Sequence, residues 1–219
     1  DIFMSPTTVA AEATATLNRT AKRRLKTRQQ LLDATQELIL EKGLERISTD
    51  DITEAADLGR RTFYNHFDNK HDCVVAALKD RYRDFVLRAA TAADRKLDAA
   101  QSLTNSAINV FNEMARDPIT QKLTDQPQLL AEAIAASQGE HLTEDYLNGL
   151  EQGTFKAVSS AEVISSITLW GFVGLLIDTI DQDRGEEQGS AWARFVLFNL
   201  GVEQSEIERL IENASTLSE

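Results

Sequence analysis

The residues with the clearest chemical potential lie in one run, ISTDDITEAADLGRRTFYNHFDNK, from Ile47 to Lys70. Guanidinium, hydroxyl, amide and imidazole groups donate hydrogen bonds to phosphates and read the edges of bases. The run therefore predicts a surface that contacts DNA. Its candidate contact residues are Arg60, Arg61, Thr62, Tyr64, Asn65 and His66.

These side chains suit different parts of a duplex. The two arginines suit guanine edges or phosphates, and Thr62 suits a thymine methyl group or a phosphate. Tyr64 and His66 would donate to phosphates, which fix the register without carrying sequence information. Asn65 suits adenine, but it could equally face a supporting helix. For each residue the alternative is an exposed side chain without a partner.

Helix signals on either side position these groups. Ser48 lies three residues before Asp51, the spacing of a capping box, so a short helix is predicted to begin directly after Ser48. A second helix from Arg60 to His66 would turn Phe63 and Phe67 inward, since residues four apart share a face. Helices this short must brace each other, and a helix-turn-helix provides that arrangement.

The run resembles the tetracycline-repressor (TetR) family of bacterial transcriptional regulators. The family pattern has a small-residue-rich helix, a turn, and an aromatic-rich recognition helix ending Tyr-x-x-Phe, followed by a polar residue and Lys. This chain supplies Tyr64, Phe67, Asn69 and Lys70 in those places. Asp57 stands at the usual turn Gly and Gly59 at the usual capping Ser or Thr. Asp tolerates left-handed geometry and Gly is an acceptable N-cap, so the turn is expected to form.

Basic and capping residues flank the motif. Residues 19–28, RTAKRRLKTR, carry six basic side chains and no acidic one. They predict a phosphate-binding arm, with a solvated basic end as the alternative. Asn69 and Asp72 repeat the capping spacing, so another helix should open at Lys70 and clamp a phosphate through its ammonium and free N–H groups. The DNA-contact candidates added by these elements are Arg24, Lys26, Ser48, Thr49 and Lys70.

Charge and cysteine content limit the class of protein. The net charge is -12, but residues 1–88 hold 15 basic and 14 acidic side chains, so the excess acidity lies after residue 88. Cys73 is the single cysteine of the chain, which excludes an internal disulfide framework and fits a reducing cytoplasm. Core packing is the expected role of Cys73.

The rest of the chain continues helix after helix. No strand alternation is sustained, so an all-α fold is predicted. We expect a flexible segment 1–20, a three-helix DNA-binding domain 21–70 and a helical ligand-binding and dimerisation domain 71–219. The first helix should run from about Lys22 to Lys42, with Gly43 as its stop. The helix that opens at Lys70 connects the two domains and is the natural carrier of a signal.

Two late segments, Val163–Ile180 and Ala191–Leu200, are apolar nearly all round. A helix of this kind needs burial on every side, which favours a two-fold dimer built as a four-helix bundle. The alternative is a large monomer core. The longest uncharged run in the chain, 15 residues, is shorter than a membrane span. The predicted interface residues are Ile167, Leu175, Trp192, Phe195 and Phe198.

A small-molecule pocket in the second domain is implied by the family resemblance. Its few charges suggest a lipophilic effector, although aromatic and Met side chains at helical spacing are more often plain core. The sequence contains no phosphate-cradling Gly loop, nucleophile elbow or paired zinc-ligand motif, so neither an enzyme nor a metal or other cofactor is expected. The candidate pocket residues are Phe111, Met114, Tyr146, Phe155, Trp170 and Phe172.

The sequence thus predicts a cytoplasmic, ligand-responsive transcriptional regulator. By family resemblance it would be a repressor that a small effector releases from DNA. A dimer would place two recognition helices roughly 34–36 Å apart and read a pseudo-palindromic operator in successive major grooves. The alternative is a helical dimeric adaptor whose helix-turn-helix binds protein instead of DNA, which the acidic composition and the residues Asp57 and Gly59 motivate.

Overall fold

The computed structural model describes residues 6–92, 99–138, 149–151, 153–156, 159–184 and 187–216. Every regular element in those residues is helical, which confirms the predicted all-α fold. The helices are α1 (Pro6–Lys42), α2 (Thr49–Ala55), α3 (Arg60–Tyr64), α4 (Lys70–Ala92), α5 (Ala99–Arg116), α6 (Pro118–Gln121), α7 (Pro127–Gln138), α8 (Ala161–Asp181), α9 (Glu187–Asn199) and α10 (Gln204–Thr216), with a 3₁₀ turn at Leu44–Arg46.

The chain forms two compact units, Asp1–Ala77 and Leu78–Glu219. Their division falls inside α4, beyond the boundary after Lys70 that the sequence suggests. Because α4 is one continuous helix of 23 residues, the chain passes from one unit to the next without leaving helical structure. The helix opens at Lys70, as the capping spacing predicts.

Helix α1 is longer than its apolar stripe indicates. It is helical from Pro6, well before the predicted start near Lys22. The added stretch is rich in alanine and has no proline after Pro6 and no glycine, so it favours a helix without an apolar stripe to mark it. Flexibility of residues 1–20 stays a prediction, and residues 1–5 lie outside the described residues. The stop at Gly43 is confirmed, with φ 77 and its N–H donating to the Ile39 carbonyl oxygen at 3.0 Å.

The predicted capping box is present at the start of α2. The Asp51 N–H donates to Ser48 Oγ at 3.2 Å, and the Ser48 N–H donates to Asp51 Oδ2 at 2.8 Å. Lys42 Nζ lies 2.8 Å from Asp51 Oδ1. Hydrogen bonds from Lys42 and Ser48 hold the pKa of Asp51 well below its usual value. The carboxylate therefore stays ionised and keeps the cap closed at neutral pH.

The turn between α2 and α3 has the geometry that the sequence predicts. Asp57 adopts a left-handed conformation with φ 52, and Gly59 is the N-cap of α3. The helix ends at Tyr64, slightly before the predicted end at His66, and Asn65 forms its C-cap.

Burial of Phe63 and Phe67 holds α3 in the first unit. The two rings have centroids 5.7 Å apart, and Phe63 is fully buried. α1 packs against α2, and α2 packs against α3. Thr35 on α1 and Cys73 on α4 meet with Oγ1 and Sγ 3.3 Å apart, which confirms Cys73 as a core residue. Other large aliphatic side chains that this unit buries almost completely include Leu31, Leu32, Ile39 and Ile52.

In the second unit, α5 packs against α8, α9 and α10. The sequence reasoning missed α10, although its Ile207, Leu210 and Ile211 follow the three- and four-residue spacing of an amphipathic helix. All three are buried in a cluster with Ala193 and Leu197 of α9. The late apolar segments are therefore not the last helices of the chain.

Helix α8 is 21 residues long, longer than the 15-residue uncharged run suggests, and most of its residues are apolar. Length and composition alone would let it cross a membrane, a test that core helices of soluble proteins also pass. Ser160 caps its start by accepting from the Val163 N–H at 3.4 Å.

Phe63→Ala should destabilise the first unit by about 3–5 kcal/mol, because it leaves a cavity where a fully buried ring stood. Urea unfolding followed by far-UV circular dichroism measures this change. Tyr64→Ala is the matched control, since Tyr64 is the adjacent residue and is 52 % exposed. Equal losses in the two variants would contradict the assignment of Phe63 as the residue that holds α3.

Candidate nucleic-acid interface and ligand cavity

The side chains predicted to read DNA lie together on α3 and the turn after it. Arg60, Arg61, Tyr64 and Asn65 are exposed, while Thr62 and His66 are half-buried. The buried Phe63 and Phe67 share the opposite role of fixing the helix. The first unit therefore presents a polar and basic surface on a short helix that its buried phenylalanines fix in place.

The two arginines of α3 differ in their surroundings. Arg60 Nε lies 2.9 Å from Asp50 Oδ1 of α2, and both side chains are more than half exposed. Exposed ion pairs are weak, so a DNA phosphate or base can replace this partner. In the described part of the chain, no hydrogen bond or ion pair engages the Arg61 side chain. Asp50 is a residue that the sequence reasoning missed.

The basic arm on α1 has two faces. Arg24 and Arg28 are four residues apart on the side of α1 that continues into the buried Leu31 and Thr35. Arg28 Cζ lies 5.0 Å from the centroid of the Phe67 ring, a cation–π contact that the sequence reasoning did not identify. Lys26 is exposed on another side of the helix, and Arg24 is exposed as well, so both can reach a phosphate outside the unit.

His66 lies close to this arm. Burial lowers its pKa, and the positive charges of Arg24 and Arg28 lower it further. Its imidazole is therefore mainly neutral at pH 7, with one nitrogen donating and the other accepting. A DNA phosphate placed beside it would act in the opposite direction and favour the protonated form.

Lys70 and Ser48 already have partners inside the first unit. Lys70 Nζ donates to the carbonyl oxygens of Ile47 at 3.0 Å and Leu44 at 3.4 Å. An ammonium has three donors, so one remains for a phosphate. The Ser48 hydroxyl belongs to the capping box, and Thr49 beside it is half-buried. Lys70 thus fastens the 3₁₀ turn to α4 in addition to any contact with DNA.

The second unit contains a cavity of about 390 Å³ between the C-terminal ends of α5 and α8 and helix α6. Of the predicted pocket residues, Phe111 lines it, while Met114, Phe155 and Phe172 are buried. Tyr146 lies outside the described residues. The lining is more polar than predicted, because helix ends supply much of it. It consists of Phe111, Asn112, Ala115, Arg116, Gln121, Thr179, Ile180, Asp183 and Arg184.

The late apolar helices present one exposed stripe each. Val163, Ile167 and Trp170 follow helical spacing on α8 and are 45–50 % exposed. On α9, Phe195 and Phe198 are exposed, whereas Leu175 on α8 is half-buried. We call Val163, Ile167, Trp170, Phe195 and Phe198 the apolar face. Trp170, a predicted pocket residue, belongs to this face and does not line the cavity described above.

Trp192, predicted at the dimer interface, is instead only 5 % exposed. Its ring lies 5.2 Å from that of Phe172 and stacks on Phe195 at 5.5 Å. Helices α8 and α9 approach closely here, since a Cβ on Gly171 would lie 3.4 Å from the Phe195 ring. The sequence placed Trp192 outward because an all-apolar helix does not show which of its sides is covered.

The fold and this surface define a helix-turn-helix DNA-binding protein with a second helical unit. The family model described as bacterial regulatory proteins, tetR family, matches residues 31–77. Residues 31–77 therefore carry a helix-turn-helix like that of tetR-family regulators. DNA binding through the helix-turn-helix follows from this match.

Individual relatives agree with the family. The chain is 30 % identical over 111 residues to the probable HTH-type transcriptional regulator ArpR of Pseudomonas putida. That match covers 50 % of this chain and 52 % of the relative, so the chain spans about half the length of its curated relative.

Solved structures show the same fold over most of the chain. The crystal structure of RolR in complex with resorcinol has a TM-score of 0.70 and 23 % identity, covering 87 % of this chain and 95 % of that one. FadR of Bacillus subtilis in complex with stearoyl-CoA has a TM-score of 0.56 and 20 % identity, covering 78 % and 96 %. At sequence identities this low, the likeness shows a shared fold alone.

Arg61→Ala should weaken binding to a cognate operator by about 1–3 kcal/mol, the usual cost of losing an arginine contact to a base edge. Fluorescence anisotropy at fixed salt measures it. Arg83→Ala is the control, because it removes the same charge from an exposed position in the second unit. If Arg61→Ala binds as tightly as the control variant, Arg61 does not read the operator.

Proposed function

We propose that this protein is a ligand-responsive repressor that acts in the cytoplasm, binds a pseudo-palindromic operator as a homodimer, and is released by a small effector. The observation that carries the proposal is the exposed Arg60, Arg61, Tyr64 and Asn65 on a helix whose Phe63 is fully buried. A rigid helix with outward donors suits the major groove, where donor and acceptor patterns differ between base pairs.

The apolar face supports the homodimer. Its large side chains lie at three- and four-residue spacing on α8 and α9, and Phe198 is 67 % exposed. Contiguous exposed apolar surface is uncommon on a monomer and marks a contact with another protein. A second copy of the same face satisfies it by two-fold symmetry and gives the four-helix bundle that the sequence suggests.

Effector binding is supported by the ligands of structural relatives, resorcinol for RolR and stearoyl-CoA for FadR. In this chain Phe111 lies at the cavity, and the Phe172 ring packs against it with the two ring centroids 5.4 Å apart. These buried aromatic residues favour an effector with a lipophilic part. A useful response needs a coupling of about 1–3 kcal/mol between effector and operator binding.

A buried polar network connects the cavity region to α4. Asp117, between α5 and α6, accepts from Arg81 Nε at 2.8 Å and from the Thr120 N–H at 2.9 Å. The Thr120 hydroxyl donates to the Tyr82 hydroxyl at 3.2 Å. Arg81 and Tyr82 lie on α4, the helix that continues into the DNA-binding unit. An effector that displaces the α5–α6 junction would therefore act on α4 through these bonds.

Operator binding should weaken steeply as salt rises, because the release of counterions from the phosphates drives it. A protein with 6–10 phosphate contacts loses about 10³–10⁵ in affinity between 50 mM and 200 mM salt. DNase protection of genomic fragments finds the operator, and anisotropy titrations at several salt concentrations give the slope. The adaptor alternative, favoured by the net charge of -12, requires no DNA binding at any salt.

Phe198→Glu should convert the dimer to a monomer, because two carboxylates would meet at the centre of an apolar contact. Size-exclusion chromatography with light scattering gives the molar mass. Leu25→Glu is the matched control, since Leu25 is also 67 % exposed but lies on α1 in the other unit. A dimer that persists in Phe198→Glu, or one lost equally in Leu25→Glu, would rule out the apolar face as the interface.

A further inference from the structure

The cavity at the ends of α5 and α8 combines an apolar floor with charged edges. Ala115 and Ile180 supply apolar surface, while Arg116 and Arg184 bring two guanidinium groups to the same lining. The cavity is open to solvent on one side, where Arg116 and Arg184 are exposed, and its volume of about 390 Å³ falls in the range of small-molecule sites. Apolar walls with a few polar groups are the pattern by which proteins bind and orient small organic molecules.

A tight helix terminus places two of the charged residues. The Asp183 N–H donates to the Ile180 carbonyl oxygen at 3.2 Å, and the Arg184 N–H donates to that of Thr179 at 2.9 Å. These two bonds form a Schellman motif, in which the residue after the helix adopts a left-handed conformation. Asp183 has φ 48, a conformation that glycine usually occupies. The terminus thus holds an aspartate under strain beside an arginine, both at the cavity lining.

Two side-chain partners orient the guanidinium of Arg184, and some of its N–H donors remain available. Its Nε lies 3.0 Å from Asp178 Oδ2, and its Nη2 donates to Gln182 Oε1 at 2.7 Å. Arginine has five N–H donors in a planar fork, so the Nη1 edge remains available to a ligand oxygen. Planar forks match carboxylate groups in particular, because two parallel N–H···O bonds form at once.

We propose that this cavity binds a small organic monocarboxylate, with its apolar body against Ala115 and Ile180 and its carboxylate facing Arg116 and Arg184. The inference rests on the proposed effector-responsive function and names the chemical class of its effector. Asp183 disfavours ligands with a second negative charge, since its own carboxylate lines the same space. The cavity would therefore select a single carboxylate on an apolar body over phosphate or a dicarboxylate.

Benzoate is the probe, and benzamide is its neutral counterpart of nearly the same shape. Isothermal titration calorimetry on the full chain should show that benzoate binds and that benzamide and inorganic phosphate bind at least tenfold more weakly. Arg184→Gln should weaken benzoate binding about 10- to 100-fold, the loss of a hydrogen bond to a charged group. Asp183→Asn should strengthen it, because a repelling carboxylate is removed while the left-handed position stays tolerated.

Weaker benzoate binding in Arg184→Gln and stronger binding in Asp183→Asn would show ligand recognition, because general damage to the fold would weaken binding in both variants. A Trp170→Phe variant leaves Trp192 as the single tryptophan, and that ring connects to the cavity through Phe172 and Phe111. Benzoate should therefore change the fluorescence of this variant. Equal binding of benzamide, or unchanged benzoate binding in Arg184→Gln, would overturn the inference.

Operator binding measured on the same preparation distinguishes the two levels of the proposal. A protein that binds its operator but not benzoate contradicts the carboxylate site and leaves the regulatory function standing. A protein that binds benzoate with the expected variant effects but no operator supports the site and contradicts the proposed function.

Discussion

A five-residue helix cannot hold its own shape in water, because helix nucleation costs more than one turn returns. The position of α3 therefore depends on burying Phe63 and Phe67 against the first unit. That contact explains the rest of the unit: α1 is a long support, α2 is capped at its start, and Thr35 and Cys73 join α1 to α4. The outward residues of α3 are free to bind DNA because the inward ones fix the helix.

Electrostatics in the first unit follow the same division between supporting and exposed groups. Arg28 contacts the Phe67 ring and, with Arg24, adds to the effect of burial in lowering the pKa of His66, so part of the basic arm acts within the domain itself. Lys70 donates two hydrogen bonds to backbone carbonyl oxygens. The charges left for phosphates are those that protrude, such as Lys26 and Arg61.

Local rules predicted the local structure well. The capping box of Ser48 and Asp51, the left-handed Asp57, the Gly43 stop and the opening of α4 each depend on a few neighbouring residues. Tertiary choices were harder, because α8 is apolar nearly all round and gives no sign of which side faces solvent. The sequence therefore did not indicate that Trp170 is exposed and Trp192 is buried. Apart from Phe111, the cavity lining was not among the predicted pocket residues, because it collects polar residues from helix ends that are distant in sequence.

The buried Cys73 thiol can report how often the DNA-binding unit opens. Burial raises the pKa of its thiol to about 11, although a hydrogen bond with Thr35 and the charge of Arg28 act in the opposite direction. Only the thiolate reacts readily with alkylating agents and oxidants, so the folded unit is inert to both. Modification must wait until α1 and α4 separate. The rate at which this one sulfur is labelled therefore reports how often the DNA-binding unit opens, in the presence or absence of DNA.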